Sequence, residues 1–86
     1  MYTVYDLRLS PPEIGTQFSG HSRYLVLKDD LAFRGYGNTL EGAINNIGNI
    51  GYRLQSKYIN LLEFLYITAE VDDLSELKSL YPKHFI

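Results

Sequence analysis

The sequence predicts a two-layer α+β domain, in which an antiparallel sheet of about four to five strands carries one central helix on one face. A short C-terminal helix completes the predicted fold. Several short runs alternate apolar and polar residues, which is typical of half-buried strands. One segment instead shows helical spacing with a capping residue. The length of 86 residues is that of one core, so residues 1–86 are predicted to form a single globular domain.

The first predicted elements are a strand and a long loop. Residues 2–9 alternate apolar and polar side chains, which predicts a strand, and Pro11 and Pro12 end it because proline cannot donate to a ladder. Residues 10–22 contain two prolines and two glycines and show no periodicity. We therefore expect a loop, and loops of this length in compact domains are often functional.

A hairpin and the central helix follow. Residues 24–28 and 31–36 are rich in strand-forming types, and Asp29-Asp30 between them predicts a two-residue turn. Asn38 is the predicted N-cap of the helix, with Glu41 at the capping-box position. The apolar residues Leu40, Ala43, Ile44 and Ile47 have the spacing of one helix face, and Gly51 is the predicted stop.

The C-terminal third predicts two strands and a helix. Residues 52–58 alternate and predict a strand with one exposed face. Residues 61–71 are dense in aromatic and β-branched types, which favours a strand buried on both faces, although their leucines also fit a helix face. Asp73, with Glu76 at the capping-box position, predicts a short helix that ends before Pro82.

Composition excludes several kinds of chemistry. The chain has no cysteine, which rules out disulfides, thiolate nucleophiles and cysteine-ligated metals. The two histidines, His21 and His84, do not have the spacing of a metal-binding pair. We predict no catalytic residue, no metal and no cofactor. The apolar runs are too short to span a bilayer and no secretory signal is present, so we expect a cytoplasmic protein without a membrane partner.

Direct nucleic-acid binding is also not expected. Residues 34–37 (RGYG) resemble the opening of the RNA-recognition-motif octapeptide, but residues 38–41 lack the aromatic and aliphatic types that should follow. The predicted element order differs from that fold as well. A net charge of −2 argues against binding that works by neutralising phosphates.

Tyrosines and carboxylates indicate protein binding. Eight tyrosines are too many for the core of a domain this small, so we expect one tyrosine-bearing face to contact a partner. Between Lys57 and Lys78 the chain has five acidic residues and no base. Such a segment suits a partner with a basic surface, for example one that binds nucleic acid. The predicted contact residues are Tyr5, Tyr24, Tyr36, Tyr58, Tyr66, Asp72, Asp73 and Glu76.

The leading functional prediction is a non-enzymatic protein–protein interaction module. Such a module is a small acidic inhibitor of the phage anti-defence (anti-CRISPR-like) type or an adaptor subunit. One alternative is a small-ligand-binding or enzymatic domain, in which the 10–23 loop acts as a lid and His21 and Arg23 contact an anionic ligand. Another alternative is a structural homodimer that pairs through Tyr2–Leu9 as an exposed edge strand.

Overall fold

Four antiparallel strands form one sheet in the computed structural model, which describes residues 1–29, 33–47 and 53–85. The strands are β1 (Tyr2–Asp6), β2 (Tyr24–Lys28), β3 (Phe33–Gly37) and β4 (Tyr66–Val71). Their order across the sheet is β3-β2-β1-β4. The predicted antiparallel α+β fold is therefore confirmed.

Short helices surround the sheet. They are α1 (Pro12–Phe18), α2 (Leu40–Asn45), α3 (Ser56–Ile59) and α4 (Leu74–Leu80), with 3₁₀ turns at Leu62–Phe64 and Pro82–Phe85. Helices α2 and α4 are the predicted central and C-terminal helices. Helices this short are unstable alone in water, so packing on the sheet holds them in place. Within the described residues, no helix is long and apolar enough to cross a membrane.

The face of the sheet that carries α2 and α4 has its own core. Val4 and Val26 are fully buried there and contact Leu40 and Ala43 of α2 and Leu77 of α4. Because side chains of a strand alternate between faces, the residues next to these valines in β1 and β2 project to the other side of the sheet. The predicted placement of the central helix on one face is confirmed.

The opposite face is covered as well. Leu25 and Leu27 of β2 pack there with Phe18 of α1 and with Leu54 and Leu62 from the segment that precedes β4. The sequence analysis did not predict this second layer of helices and turns. It consists of elements that the sequence analysis assigned to a loop and to strands.

The prediction of a loop over residues 10–22 is wrong for its central part. Helix α1 occupies Pro12–Phe18 and begins with a proline in its first turn. Proline is tolerated there because the first amide groups of a helix have no intrahelical acceptor. Ile14 and Phe18, one helical turn apart, both pack on the sheet.

The two predictions before β4 need correction. The strand predicted over residues 52–58 is wrong, because residues 56–59 form α3; residue 52 lies outside the described residues. The strand predicted over residues 61–71 begins only at Tyr66, after a 3₁₀ turn. The buried or half-buried residues Leu54, Tyr58, Leu62 and Leu65 recur at helical spacing, and this pattern outweighed the alternation of residue types.

The turn and cap residues differ in part from the prediction. Thr39, not Asn38, caps α2, since the Thr39 hydroxyl accepts a hydrogen bond from the Gly42 amide at 3.0 Å. The Asn38 side chain instead accepts from the Arg23 amide at 3.2 Å. The predicted stop at Gly51 lies outside the described residues. Asp73 caps α4 as predicted, with its carboxylate 2.9 Å from the Ser75 amide.

The turn between β2 and β3 also differs. Lys28 pairs with Phe33 in the sheet, so four residues join the two strands rather than the predicted two. Of these four, only Asp29 lies within the described residues, and its φ of 53° is in the left-handed region. Asp is among the residues that tolerate this conformation in turns.

Strand β1 lies inside the sheet. It pairs with β2 on one side and with β4 on the other. The prediction that Tyr2–Leu9 forms an exposed edge is therefore wrong, because a strand with neighbours on both sides has no free main-chain groups to offer. The edges of the sheet are β3 and β4.

Candidate functional site

Two of the predicted contact tyrosines are in the core. Tyr5 and Tyr24 are buried on opposite faces of the sheet, so neither is available to a partner. Burial raises the pKa of both phenols, and the nearby Glu70 carboxylate raises the pKa of Tyr5 further. The guanidinium of Arg23 lies 4.9 Å from the centre of the Tyr24 ring, and His84 contacts the same ring edge-on at 5.6 Å.

Two further tyrosines are half-buried. Tyr36 and Tyr58 both pack on the core that contains Phe18, and the Phe18 and Tyr58 ring centres are 5.2 Å apart. Burial raises the pKa of Tyr36. Of the five predicted tyrosines, only Tyr66 has more than half of its surface exposed. The structure therefore does not bring them together on one face.

The buried phenols make the protein sensitive to alkaline pH. Tyrosine in an unfolded chain ionises near pH 10, whereas Tyr5 and Tyr36 resist ionisation when folded. Their contribution to stability is complete below about pH 10 and is lost as the pH rises above it. We expect the unfolding free energy to fall by up to about 1.4 kcal/mol per pH unit for each such phenol. Urea denaturation at about pH 8 and at about pH 11 measures the unfolding free energy at each pH, and Tyr36→Phe should lose less of it between the two than the wild type does. An equal loss in Tyr36→Phe and in the wild type would contradict this prediction.

Strand β4 is an open edge of the sheet. It pairs with β1, and no other described strand lies beside it. In an antiparallel ladder every second residue directs its amide and carbonyl away from the neighbour, so an edge strand offers these groups to another chain. The register shifts at Thr68, which is the position of a β-bulge. The Thr68 carbonyl already accepts a bond from the Tyr81 hydroxyl at 3.3 Å.

Apolar side chains lie exposed along this edge. Tyr66 pairs with Asp6 and Ile67 pairs with Tyr5, so the two side chains project to opposite faces of the sheet. Tyr66 is 53% exposed and Ile67 is 46% exposed. Phe64, which comes just before the strand, is 53% exposed. An incoming strand at this edge would therefore meet apolar side chains above and below it.

Carboxylates continue the same surface. Glu70 lies on β4, Asp72 lies between β4 and α4, and Glu76 lies in the first turn of α4; all three are exposed. Neither Asp72 nor Glu76 has an ion-pair partner among the described residues. Asp73 is exposed too, but its carboxylate is engaged as the helix cap. We call Phe64, Tyr66, Ile67, Glu70, Asp72 and Glu76 the β4 edge surface.

The apolar part of this surface was missed by the sequence analysis. Tyr66 and Ile67 belong to a run that reads as a strand buried on both faces. Whether such a run is central or at an edge depends on which strands pair with it. The acidic residue Glu70 within the run was a signal for the edge position, since charged side chains are typical of edge strands.

Arg23, a predicted ligand contact, has a structural role. The carboxylate of Asp6 is almost fully buried and accepts from Arg23 Nε at 3.2 Å and from Nη2 at 3.1 Å. The other carboxylate oxygen accepts from the Arg8 amide at 3.0 Å. The hydrogen bond to Asp6 raises the pKa of Arg23. The pairing with Asp6 uses two guanidinium nitrogens of a side chain that is 36% exposed, and the contact of Arg23 with a ligand stays a prediction.

His21, the second predicted ligand contact, lines a cavity beside α1, and Arg23 is not among the residues of that lining. Across residues 1–29, 33–47 and 53–85, no group of three metal-ligating side chains is close enough to hold a metal ion.

Comparison with known proteins gives no relative. No protein-family model, no curated protein and no solved structure matches this chain.

Proposed function

We propose that the protein is a non-enzymatic interaction module that binds a partner protein with a basic surface through the β4 edge surface. The observation that carries the proposal is the open edge of β4, with Tyr66 and Ile67 exposed on opposite faces of the sheet. A partner strand added at this edge gains main-chain hydrogen bonds and covers both side chains. The half-buried tyrosines Tyr36 and Tyr58 lie outside this contact.

The charge of the surface supports a basic partner. Glu70, Asp72 and Glu76 are exposed at or next to the edge, and no base lies between Lys57 and Lys78 to compensate them. A complementary basic surface speeds association and excludes acidic competitors. Two copies of this chain would bring like charges together, and the bulge at Thr68 also disfavours regular self-pairing.

The partner's basic surface is of the kind that binds nucleic acid. In this version of the proposal the module acts in the cytoplasm as an inhibitor of the phage anti-defence type, because its carboxylates take the place of phosphates. An adaptor subunit would use the same surface without blocking a nucleic acid. Competition with DNA or RNA for the purified partner separates the two, since only the inhibitor is displaced by nucleic acid.

Neutralising the free carboxylates tests the proposal. We expect the double variant Asp72→Asn/Glu76→Gln to bind the partner about tenfold more weakly than the wild type, because complementary charge is lost. The partner is first captured from a lysate of the native host with the tagged wild-type protein. Its dissociation constant is then measured for both forms at low and high salt, where the wild type should show the steeper dependence.

The matched control neutralises two carboxylates at other places on the protein. Glu13→Gln/Glu41→Gln changes the net charge equally at exposed positions on α1 and α2. This control should bind as the wild type does. Equal weakening by both double variants would contradict a contact at β4, because the effect would then come from net charge alone.

A homodimer is the second candidate occupant of the edge. Light scattering of the purified protein measures it directly. The proposal expects a monomer, since the like charges near β4 oppose self-pairing. A stable dimer that Ile67→Lys dissociates would instead support the structural homodimer.

A further inference from the structure

A cavity of about 240 Å³ lies between α1 and the two turns that flank it. One wall is the turn of residues 7–10 that leaves β1, and another is the turn of residues 19–22 that leads towards β2. Drug-sized ligands occupy pockets of about 300–1,000 Å³. This cavity is therefore suited to an inorganic ion or a small molecule.

The lining of the cavity is cationic and hydroxylic. The cationic residue Arg8 and the imidazole-bearing residue His21 belong to the lining, and no residue with a carboxylate does. The hydroxyl-bearing residues of the lining are Ser10, Thr16, Ser19 and Ser22. In a chain of net charge −2, this local composition is opposite in sign to that of the β4 edge surface.

Asp6, the acidic residue just before the first turn, is already paired. Asp6 lies two residues before Arg8, but its carboxylate is paired with the Arg23 guanidinium and accepts a hydrogen bond from the Arg8 amide. The pairing with Arg23 compensates the charge of Asp6, and the bond to the Arg8 amide holds the turn in place. The guanidinium of Arg8 itself is exposed and has no ion-pair partner among the described residues.

Hydrogen bonds within the walls show which groups are free for a ligand. The Ser10 hydroxyl donates to the Asp6 carbonyl at 2.8 Å, and the Thr16 hydroxyl donates to the Pro12 carbonyl at 2.6 Å. The Ser19 hydroxyl accepts from the amides of His21 and Ser22, and these bonds hold the second turn in shape.

The donors without an acceptor among the described residues are therefore the Arg8 guanidinium, the His21 ring and the hydroxyls of Ser19 and Ser22. The Ser19 hydroxyl accepts two hydrogen bonds but donates none. Several hydrogen-bond donors around a cavity without a carboxylate form the environment that an oxyanion requires.

We propose that this cavity binds a small oxyanion of the phosphate class, with Arg8 as its main charged contact and His21 and Ser22 as further donors. Arginine suits phosphate because its planar guanidinium gives two parallel hydrogen bonds to one group. The ligand is either free inorganic phosphate or the phosphate of a small monoester. Its proposed contacts are different residues from those of the β4 edge surface, although Ser10 of the cavity wall accepts a hydrogen bond from the Tyr66 amide at 2.9 Å.

A titration with inorganic phosphate tests the site. Backbone and side-chain NMR signals of residues 8, 21 and 22 are followed, with sodium chloride at matched ionic strength as the reference. We expect saturable shifts with phosphate and none with chloride. Arg8→Gln should weaken phosphate binding by at least about tenfold, because a charged contact is lost. The exposed residue Lys83 supplies the control Lys83→Gln, which should bind as the wild type does.

A second titration, with glycerol phosphate, distinguishes the two sources of the phosphate group. Tighter binding of glycerol phosphate than of inorganic phosphate indicates a monoester ligand, and the reverse indicates free phosphate. Shifts that do not saturate, shifts that chloride reproduces, or equal affinity in Arg8→Gln and the wild type would overturn the proposal. The Arg8 side chain is exposed, and a circular dichroism spectrum confirms that the variant is folded.

Discussion

Gly35→Ala is expected to cost about 3 kcal/mol of unfolding free energy, because it forces α2 away from the sheet. A Cβ atom at Gly35 would overlap the main-chain carbonyl oxygen of Ala43, and it would lie 2.8 Å from Cγ1 of Ile47. The first of these neighbours is backbone and cannot move alone. The helix would have to shift as a unit and would expose Leu40 and Ala43, which are fully buried against β2 and β3.

A matched glycine provides the control for this prediction. Gly20 lies in a surface turn, and a Cβ atom there would meet no other atom within 4 Å. Gly20→Ala should therefore change the stability by no more than about 0.5 kcal/mol. Urea denaturation of both variants measures the difference. Equal stability of Gly35→Ala and Gly20→Ala would contradict the close packing of α2 on β3.

Ile67→Lys is expected to abolish binding of the partner, with a loss of affinity of at least about a hundredfold. The substitution removes an exposed apolar contact at the open edge of β4 and adds a charge of the partner's own sign. Lysine on an edge strand also prevents the addition of another strand, because its charge would be buried by the incoming chain. The affinity of the captured partner is measured by calorimetry or by surface binding.

Ile59→Lys is the control for this variant. Ile59 is 39% exposed and lies on α3, outside the β4 edge surface. The same change of apolar side chain to lysine should leave binding within about threefold of the wild type, because a single rim charge has a modest effect. Thermal unfolding of both variants confirms that they fold. Equal loss of binding in both would place the contact outside the β4 edge or make it a general charge effect.

Local patterns in the sequence predicted much of the fold. The alternation in residues 2–9 identified β1, the strand-forming residue types in 24–28 identified β2, and Asp73 was identified as the cap of α4. These features depend on a few neighbouring residues, so the sequence displays them directly. Helix α1 was missed because Pro12 was interpreted as a breaker, although the first turn of a helix accommodates proline.

The sequence predicted the acidic part of the candidate site but not its position at the edge of the sheet. The acidic segment around Asp72 and Glu76 is a local property and was predicted from the charge count alone. The edge position of β4 is not local, because it depends on the pairing of residues 66–71 with residues 2–6 at the other end of the chain. The same long-range pairing made β1 a central strand and buried Tyr5, which the sequence analysis had assigned to the surface.

Amide hydrogen exchange of the complex tests the central claim most directly. The protein is compared free and bound to its captured partner, with exchange followed for each strand. We predict new protection at the amides of β4 and unchanged exchange in β3, the other edge of the sheet. Protection confined to β3 or to the helices, with β4 exchanging as in the free protein, would contradict the assignment of the β4 edge as the contact surface.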